Sequence, residues 1–291
     1  MVNFLSMGKT RRKVDIVVIS DVHLGTYGCQ AKELHTYLKS IKPKHIILNG
    51  DIIDIWQFKK KYWPKSHMKV VKQLLDLASK GTKITYIPGN HDETLRRFDG
   101  LEMGNLSIQN QLELDLNGDK VWFFHGDVFD VVMQYSKGLA KLGAISYDAL
   151  ILLNVLINRI SKFFGYGKVS LSKRIKDNVK SAVKFINNFE TLAVDLAIKK
   201  GYTHVVCGHI HCPEKRSIIQ DGRQVTYLNS GDWVENLSAL EYHKNQWSIY
   251  RYEEDISIQL AMDEKNTDLD EILVEMNNKE IFQKMLLELK A

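Results

Sequence analysis

Residues 14–23 read VDIVVISDVH, residues 45–54 read HIILNGDIID, and residues 83–92 read KITYIPGNHD. Each begins as a short, β-branched, apolar run of strand length and ends in a cluster of Asp, Asn, Gly or His. Residues 31–41 and 68–80, which lie between them, carry helical patterning. The order strand, helix, strand, helix, strand predicts an α/β fold with a parallel sheet covered by helices. Ligands of such sheets collect at the carboxyl ends of strands. The polar endings are therefore read as parts of one site.

Working outward, residues 106–116 and 120–124 predict two antiparallel strands about the turn Asn117-Gly118-Asp119. More strands are expected at 204–207, 224–229, 239–242 and 247–252. The block between these sheet-forming parts reads as helical, with helices expected at 131–143, 147–164, 172–187 and 189–199. The expected organisation is a core of residues 1–128 and 201–255, a helical insert or lid at 129–200, and a C-terminal helical extension at 256–291.

Hydrophobic residues make up 44% and charged residues 26% of the 291, which is the balance of a chain that buries a core. Lys and Arg number 40 against 35 Asp and Glu, a mild +5 that suits an anionic substrate or membrane surface. Basic residues do not form a track interleaved with aromatics, so no nucleic-acid partner is expected. Cys29, Cys207 and Cys212 form no CxxC pair, which favours a reducing compartment over a disulfide framework. Lys9, Arg11, Arg12 and Lys13 follow the short N-terminal apolar patch instead of preceding it, so no signal peptide is expected. The apolar run 149–157, interrupted by Asn154, falls short of the ~18 residues a spanning helix needs. A soluble or membrane-peripheral protein is expected.

The chemistry sits in five endings: Asp21-Val22-His23, Gly50-Asp51-Ile52-Ile53-Asp54, Gly89-Asn90-His91-Asp92, His125-Gly126-Asp127 and Gly208-His209-Ile210-His211. Asp oxygens and His nitrogens suit Mn, Fe, Zn or Mg. On extended strands Asp21 and His23 would share a face, as would His209 and His211. The glycines at 50, 89, 126 and 208 are read as sharp turns that let the polar groups converge. A lone Asp or His at a strand end is ordinarily a turn former; five such endings together point to a metal centre. Asp54 and Asp127 are read as helix caps or as supports behind the ligands. Cys207 is read as a small apolar strand residue, and Trp233 and Asn236 either support the site or meet the substrate.

In this order, D-x-H, GD-x-x-D, GNHD, H and GH-x-H resemble the signature of the calcineurin-like metallophosphoesterases. The resemblance covers residues 21 to 211 and implies a four-layer αββα sandwich with a dimetal site at its edge. It implies Asp21, His23 and His211 as ligands of a first divalent metal and Asn90, His125 and His209 as ligands of a second, with Asp51 bridging. It implies His91 as proton donor or charge stabiliser and Asp92 as its orienting partner. Manganese is the first expectation for the two ions, with iron, zinc or magnesium as alternatives.

A narrower resemblance lies in DVHLGT, GDIIDIWQF, HGDVFD and GDWVEN together with the helical insert. These are similar to the UDP-2,3-diacylglucosamine pyrophosphatases of lipid A synthesis. The best-known members carry Arg where this chain has His91, which marks a divergent branch. The resemblance implies a lipid-linked sugar nucleotide as substrate, UMP and the acylated sugar 1-phosphate as products, and a cytoplasmic enzyme with peripheral contact at the inner face of the membrane. The dense apolar positions at 150–157 are read as an ordinary core helix packed on its neighbours or, as the resemblance implies, an acyl-chain pocket under the insert, and the Lys-rich residues 168–184 as a solvated face or an anion contact. The rival readings are another phosphodiesterase, a protein phosphatase or a nuclease, and a binding scaffold without catalysis.

Overall fold

The computed structural model describes residues 11–55, 62–130, 179–220 and 222–255. The helices expected at 131–143 and 147–164, the helical extension expected at 256–291, the first part of the helix expected at 172–187, the apolar stretch 149–157 and the Lys-rich residues 168–176 lie outside them. The strands, helices and site below belong to a compact unit that ends at Tyr250; Arg251 opens a second unit, of which the short turn Tyr252–Glu254 is described.

β1 (Arg12–Ile19), α1 (Ala31–Ser40), β2 (Ile41–Asn49), α2 (Lys65–Ser79) and β3 (Lys83–Ile87) follow one another as expected. β1, β2 and β3 are parallel neighbours. α1 forms because Ala31, Leu34, Tyr37 and Leu38 recur on one buried face, and α2 because Val70, Leu74 and Leu77 do. The first sheet is completed by β4 (Glu102–Met103), β5 (Leu106–Ile108), β11 (Ser238–His243) and β12 (Gln246–Arg251), in the order β12-β11-β1-β2-β3-β5-β4. The second sheet comprises β6 (Leu112–Leu116), β7 (Asp119–Phe123), β8 (His204–Cys207), β9 (Glu214–Gln220) and β10 (Arg223–Asn229), in the order β6-β7-β8-β10-β9.

The strand expected over 106–116 is two strands in two sheets. β5 runs parallel to β3 in the first sheet, and β6 pairs antiparallel with β7 in the second. Residues 109–111 carry the chain across. The turn at Asn117 and Gly118 stands as expected, with φ of 59° and 94°, the conformation a two-residue hairpin requires. β9 is an edge strand whose exposed EKRSIIQ sequence lacks the apolar alternation that marks a strand.

Alternation along β7 and β8 explains the layering. Val121, Phe123 and Val206 face inward, against Ile16, Val18, Ile47 and Ile87 of the first sheet. Trp122, Phe124, Val205 and Cys207 face outward, against Phe189, Ala193, Val194, Ala197 and Ile198 of α3 (Val179–Lys200). With α1 and α2 on the first sheet and α3 on the second, the chain is an αββα sandwich. Cys207 is packed in this core as expected.

Of the insert expected at 129–200, Phe129 and the Phe189–Ile198 face of α3 pack in the core against the second sheet. The separate helices expected at 172–187 and 189–199 meet in one helix from Val179 to Lys200. A helix apolar on one face is indistinguishable in sequence whether that face meets a sheet or a ligand.

Candidate metal centre

β1, β2 and β3 of one sheet and β7 and β8 of the other end at the same rim. Backbone bonds tie these ends together. The amides of Asp21 and His23 donate to the carbonyls of Gly50 and Asp51, at 3.0 and 2.9 Å. The Asn49 side chain donates to the Phe124 carbonyl across the two sheets at 3.1 Å.

The polar residues do not lie on extended strands. Asp21, His23, Asp51, His209 and His211 all take left-handed backbone, with φ between 52° and 68°. Such a conformation costs non-glycine residues ~1 kcal/mol or more, and clusters at functional sites. Asp21 and His23 thus converge through left-handed backbone beyond β1, which corrects the expectation of a shared strand face. The glycines divide as well. Gly50 and Gly126 take positive φ, 85° and 119°, as turn residues do. Gly89 and Gly208 are needed for space, since a side-chain carbon there would overlap the carboxylates of Asp51 and Asp21 respectively.

Two clusters result. Ligand atoms of Asp21, His23 and His211 lie within 4.8 Å of one another, and so do those of Asp51, His125 and His209. His91 joins a third such group with His23 and Asp51. Asp21, Asp51 and His125 are buried. His211 Nε2 stands 3.2 Å from Asp21 Oδ1, and His125 Nε2 stands 3.3 Å from Asp51 Oδ2. The Asp51 carboxylate accepts the His91 amide on Oδ1 at 2.8 Å, which pins the Gly89–Asp92 loop to the ending of β2.

These residues fit divalent cations. Asp21 Oδ1, Asn90 Oδ1 and His125 Nε2 are buried without a hydrogen bond among the described residues. An unmet buried polar atom ordinarily costs ~1–3 kcal/mol. His125 Nδ1 bonds to the Asn49 carbonyl at 2.8 Å, and a carbonyl can only accept. The His125 proton therefore sits on Nδ1 in the neutral ring, and the Nε2 lone pair faces the cluster. Buried oxygen and nitrogen lone pairs of these types make a donor set of the kind that Mn, Fe or Zn accepts.

Charge is concentrated here. Burial raises the Asp92 carboxyl, and the charge of Asp51 adds to this. Burial also opposes ionisation of Asp54, yet hydrogen bonds from His23 and His91 outweigh it and hold that carboxyl well below the usual range. Burial works against the charged His125 ring, but Asp51 outweighs it and lifts the imidazole to about 10. A cation bound here would displace the proton that this raised His125 ring otherwise holds.

This placement matches the D-x-H, GD-x-x-D, GNHD, H and GH-x-H order, and a family comparison adds to it. The calcineurin-like phosphoesterase family model matches residues 14–213. The chain belongs to the calcineurin-like phosphoesterase family. It is a metal-dependent phosphoester hydrolase: the family implies divalent metal ions, and a His/Asp cluster that could hold them stands in this structure. The chain is 25% identical over 251 residues to a UDP-2,3-diacylglucosamine hydrolase of Aliivibrio fischeri (strain MJ11), covering 82% of this chain and 98% of the relative. It is 24% identical to a UDP-2,3-diacylglucosamine hydrolase of Stenotrophomonas maltophilia (strain K279a), covering 79% and 96%. A dimetal phosphatase from Danio rerio aligns with 81% of this chain and 95% of its own, with 11% identity and a TM-score of 0.42.

Within this phosphoesterase, the surroundings of the centre depart from the sequence reading at Asp92 and give contacts to Asp127, Trp233 and Asn236, whose readings stood open. The resemblance implies Asp92 as the partner that orients His91. The His91 ring instead meets Asp54, Nδ1 to Oδ2 at 3.0 Å. Asp92 accepts the amides of Gly89 at 2.6 Å and Ile52 at 2.9 Å and the Tyr86 hydroxyl, which shapes the loop from behind. Asp127 holds Arg96 in a two-point contact at 2.8 and 2.9 Å. Trp233 is fully buried and its amide donates to the Asp21 carbonyl at 3.1 Å, so it supports the site from inside. Asn236 does likewise, donating to the His211 carbonyl at 2.9 Å and to Asp232. Asp130, bonded to His209, and Asp232, beside His211, went unread; their only sequence signal is their place in HGDVFD and GDWVEN.

Proposed function

We propose that this phosphoesterase hydrolyses the pyrophosphate of a lipid-linked sugar nucleotide, UDP-2,3-diacylglucosamine or a close relative. Water oxygen joins one phosphorus, the P–O–P bridge breaks, and UMP and the acylated sugar 1-phosphate leave. The observation that carries this reading is the likeness to UDP-2,3-diacylglucosamine hydrolases along 98% of one relative's length and 96% of another's. The helical insert is the proposed holder of the acyl chains, read from the apolar sequence at 149–157. No described helix is long and apolar enough to cross a membrane. The enzyme is proposed to work from the cytoplasm against the inner face of the membrane.

Asp21, His23 and His211 are the proposed ligands of one divalent ion and Asn90, His125 and His209 of another, with Asp51 between. Two such ions, manganese in this proposal, supply an activated water and neutralise phosphate charge. Asp51 sits beside His125 and takes the His91 amide, so one carboxylate aligns the metal cluster with the GNHD loop. The His91 ring, held by Asp54, is the proposed donor of a proton to the leaving phosphate oxygen or stabiliser of charge on the phosphoryl group.

The test is turnover of UDP-2,3-diacylglucosamine by manganese-loaded protein, with UMP release as readout. The deacylated sugar nucleotide and a small chromogenic phosphodiester serve as comparisons. The expected order of kcat/KM is acylated, then deacylated, then chromogenic. Turnover of the chromogenic diester alone would overturn the proposed substrate and leave the phosphoesterase activity standing.

A further inference from the structure

His125 and His209 belong to one cluster, yet their outer partners hold opposite nitrogens. His125 is bonded at Nδ1 to the Asn49 carbonyl, and its Nε2 turns inward. His209 is bonded at Nε2, at 2.8 Å, to Asp130 Oδ1. A neutral imidazole carries one proton and one lone pair, and an ionised carboxylate accepts only. The His209 proton therefore belongs on Nε2, and Nδ1 is the nitrogen left for a metal. The ring has little freedom to swing. Its backbone amide donates to Asp21 Oδ2 at 3.0 Å, the His125 ring crosses it at 5.2 Å and 73°, and Phe189 lies alongside at 6.2 Å.

We propose that Asp130 is a positioning residue that fixes His209 as its Nε2–H tautomer and so presents Nδ1 to the cation shared with Asp51 and His125. This rests on the ligand assignment proposed above. A carboxylate behind a ligand imidazole fixes its tautomer and raises its basicity, and losing one typically weakens metal binding ~10- to 100-fold. The effect is confined to one cation. The other cluster is supported separately, with Asp232 Oδ2 standing 3.6 Å from His211 Nδ1 and Asn236 holding the His211 carbonyl.

The experiment is calorimetric titration of Mn2+ into metal-stripped protein, with circular dichroism confirming the fold of each variant. Wild type is expected to take up two ions per chain; fewer than two overturns the ligand assignment, and this inference with it. Asp130→Ala is expected to weaken one binding event ~10- to 100-fold and leave the other unchanged. Asp130→Asn keeps an acceptor oxygen at the same place, so it is expected to lose less than Asp130→Ala. Two ions in wild type with both events unchanged in Asp130→Ala, or with both weakened alike, overturns the inference while the ligand assignment stands. Should Asp130→Ala not fold, Asp130→Asn decides by the same criterion of one event weakened and one spared.

Discussion

Asp54 Oδ2 lies 3.0 Å from His91 Nδ1, while His91's own amide is bonded to Asp51. One histidine is thereby held at its ring by one acid and at its backbone by the acid at the centre of the cluster. Burial works against a charged His91 ring, but the hydrogen bond from Asp54 outweighs it and raises the imidazole above its ordinary value. The protonated form then persists to higher pH, and a step that needs it fails as pH rises past the raised value. In Asp54→Asn the support is lost, so the alkaline limb of the kcat profile is expected to move to lower pH. An unmoved limb in a folded, metal-loaded variant would show that Asp54 does not act through His91.

His91→Ala is expected to keep both metal ions and lose ~100-fold or more in kcat, the scale of a general acid or electrostatic stabiliser. Metal analysis and steady-state rates on one preparation check this. His91 also stands near His23 and Asp51, so loss of an ion from this variant would identify it as a ligand.

Asp51→Ala is expected to lose both ions and essentially all activity, because Asp51 groups with His125 and His209 of one proposed ligand set and with His23 of the other. Metal content of the purified variant is the measurement. One ion retained at full affinity would remove Asp51 from the bridging position.

Metal binding is expected to release protons. Burial opposes the charged rings of His125 and His211, but Asp51 and Asp21 outweigh it and lift them to about 10 and about 9. Both rings are then protonated at neutral pH in the metal-free chain, and a cation must displace those protons. The apparent Mn2+ affinity should rise with pH, and the binding enthalpy should vary with the ionisation enthalpy of the buffer. The stability these contacts give is complete below ~6.5, the ordinary histidine value, and lost as pH rises through the raised values. The melting temperature of metal-free protein is therefore expected to fall between pH 7 and 10, and that of loaded protein to change less.

Phe189→Ala is expected to destabilise the protein by about 3–5 kcal/mol. Phe189 is fully buried, packs edge-on to Phe129 at 5.4 Å, and leaves no room for a side chain at Gly126. The urea midpoint of the metal-free variant measures the loss. A helix serving only as a lid would lose this side chain at little cost to folding.

By itself the sequence determined the α/β order, the hairpin at Asn117 and Gly118 and the polar endings gathered at the site, because each is a local signal. Apolar runs of strand length, helical spacing and turn residues are written within a few positions of each other. The narrow reading of 106–116 as one strand shows the limit: apolar alternation marks a strand without saying which sheet receives it. The tertiary structure decided that β5 and β6 part company, that α3 is core, and that Asp21, His23, Asp51, His209 and His211 converge through left-handed backbone. It also decided which acid serves which histidine. His91 is held by Asp54, 37 positions away, and not by its chain neighbour Asp92; His209 is held by Asp130, 79 positions away. A carboxylate's direction is set by the loop that carries it, and that loop is shaped by contacts between strands of two different sheets.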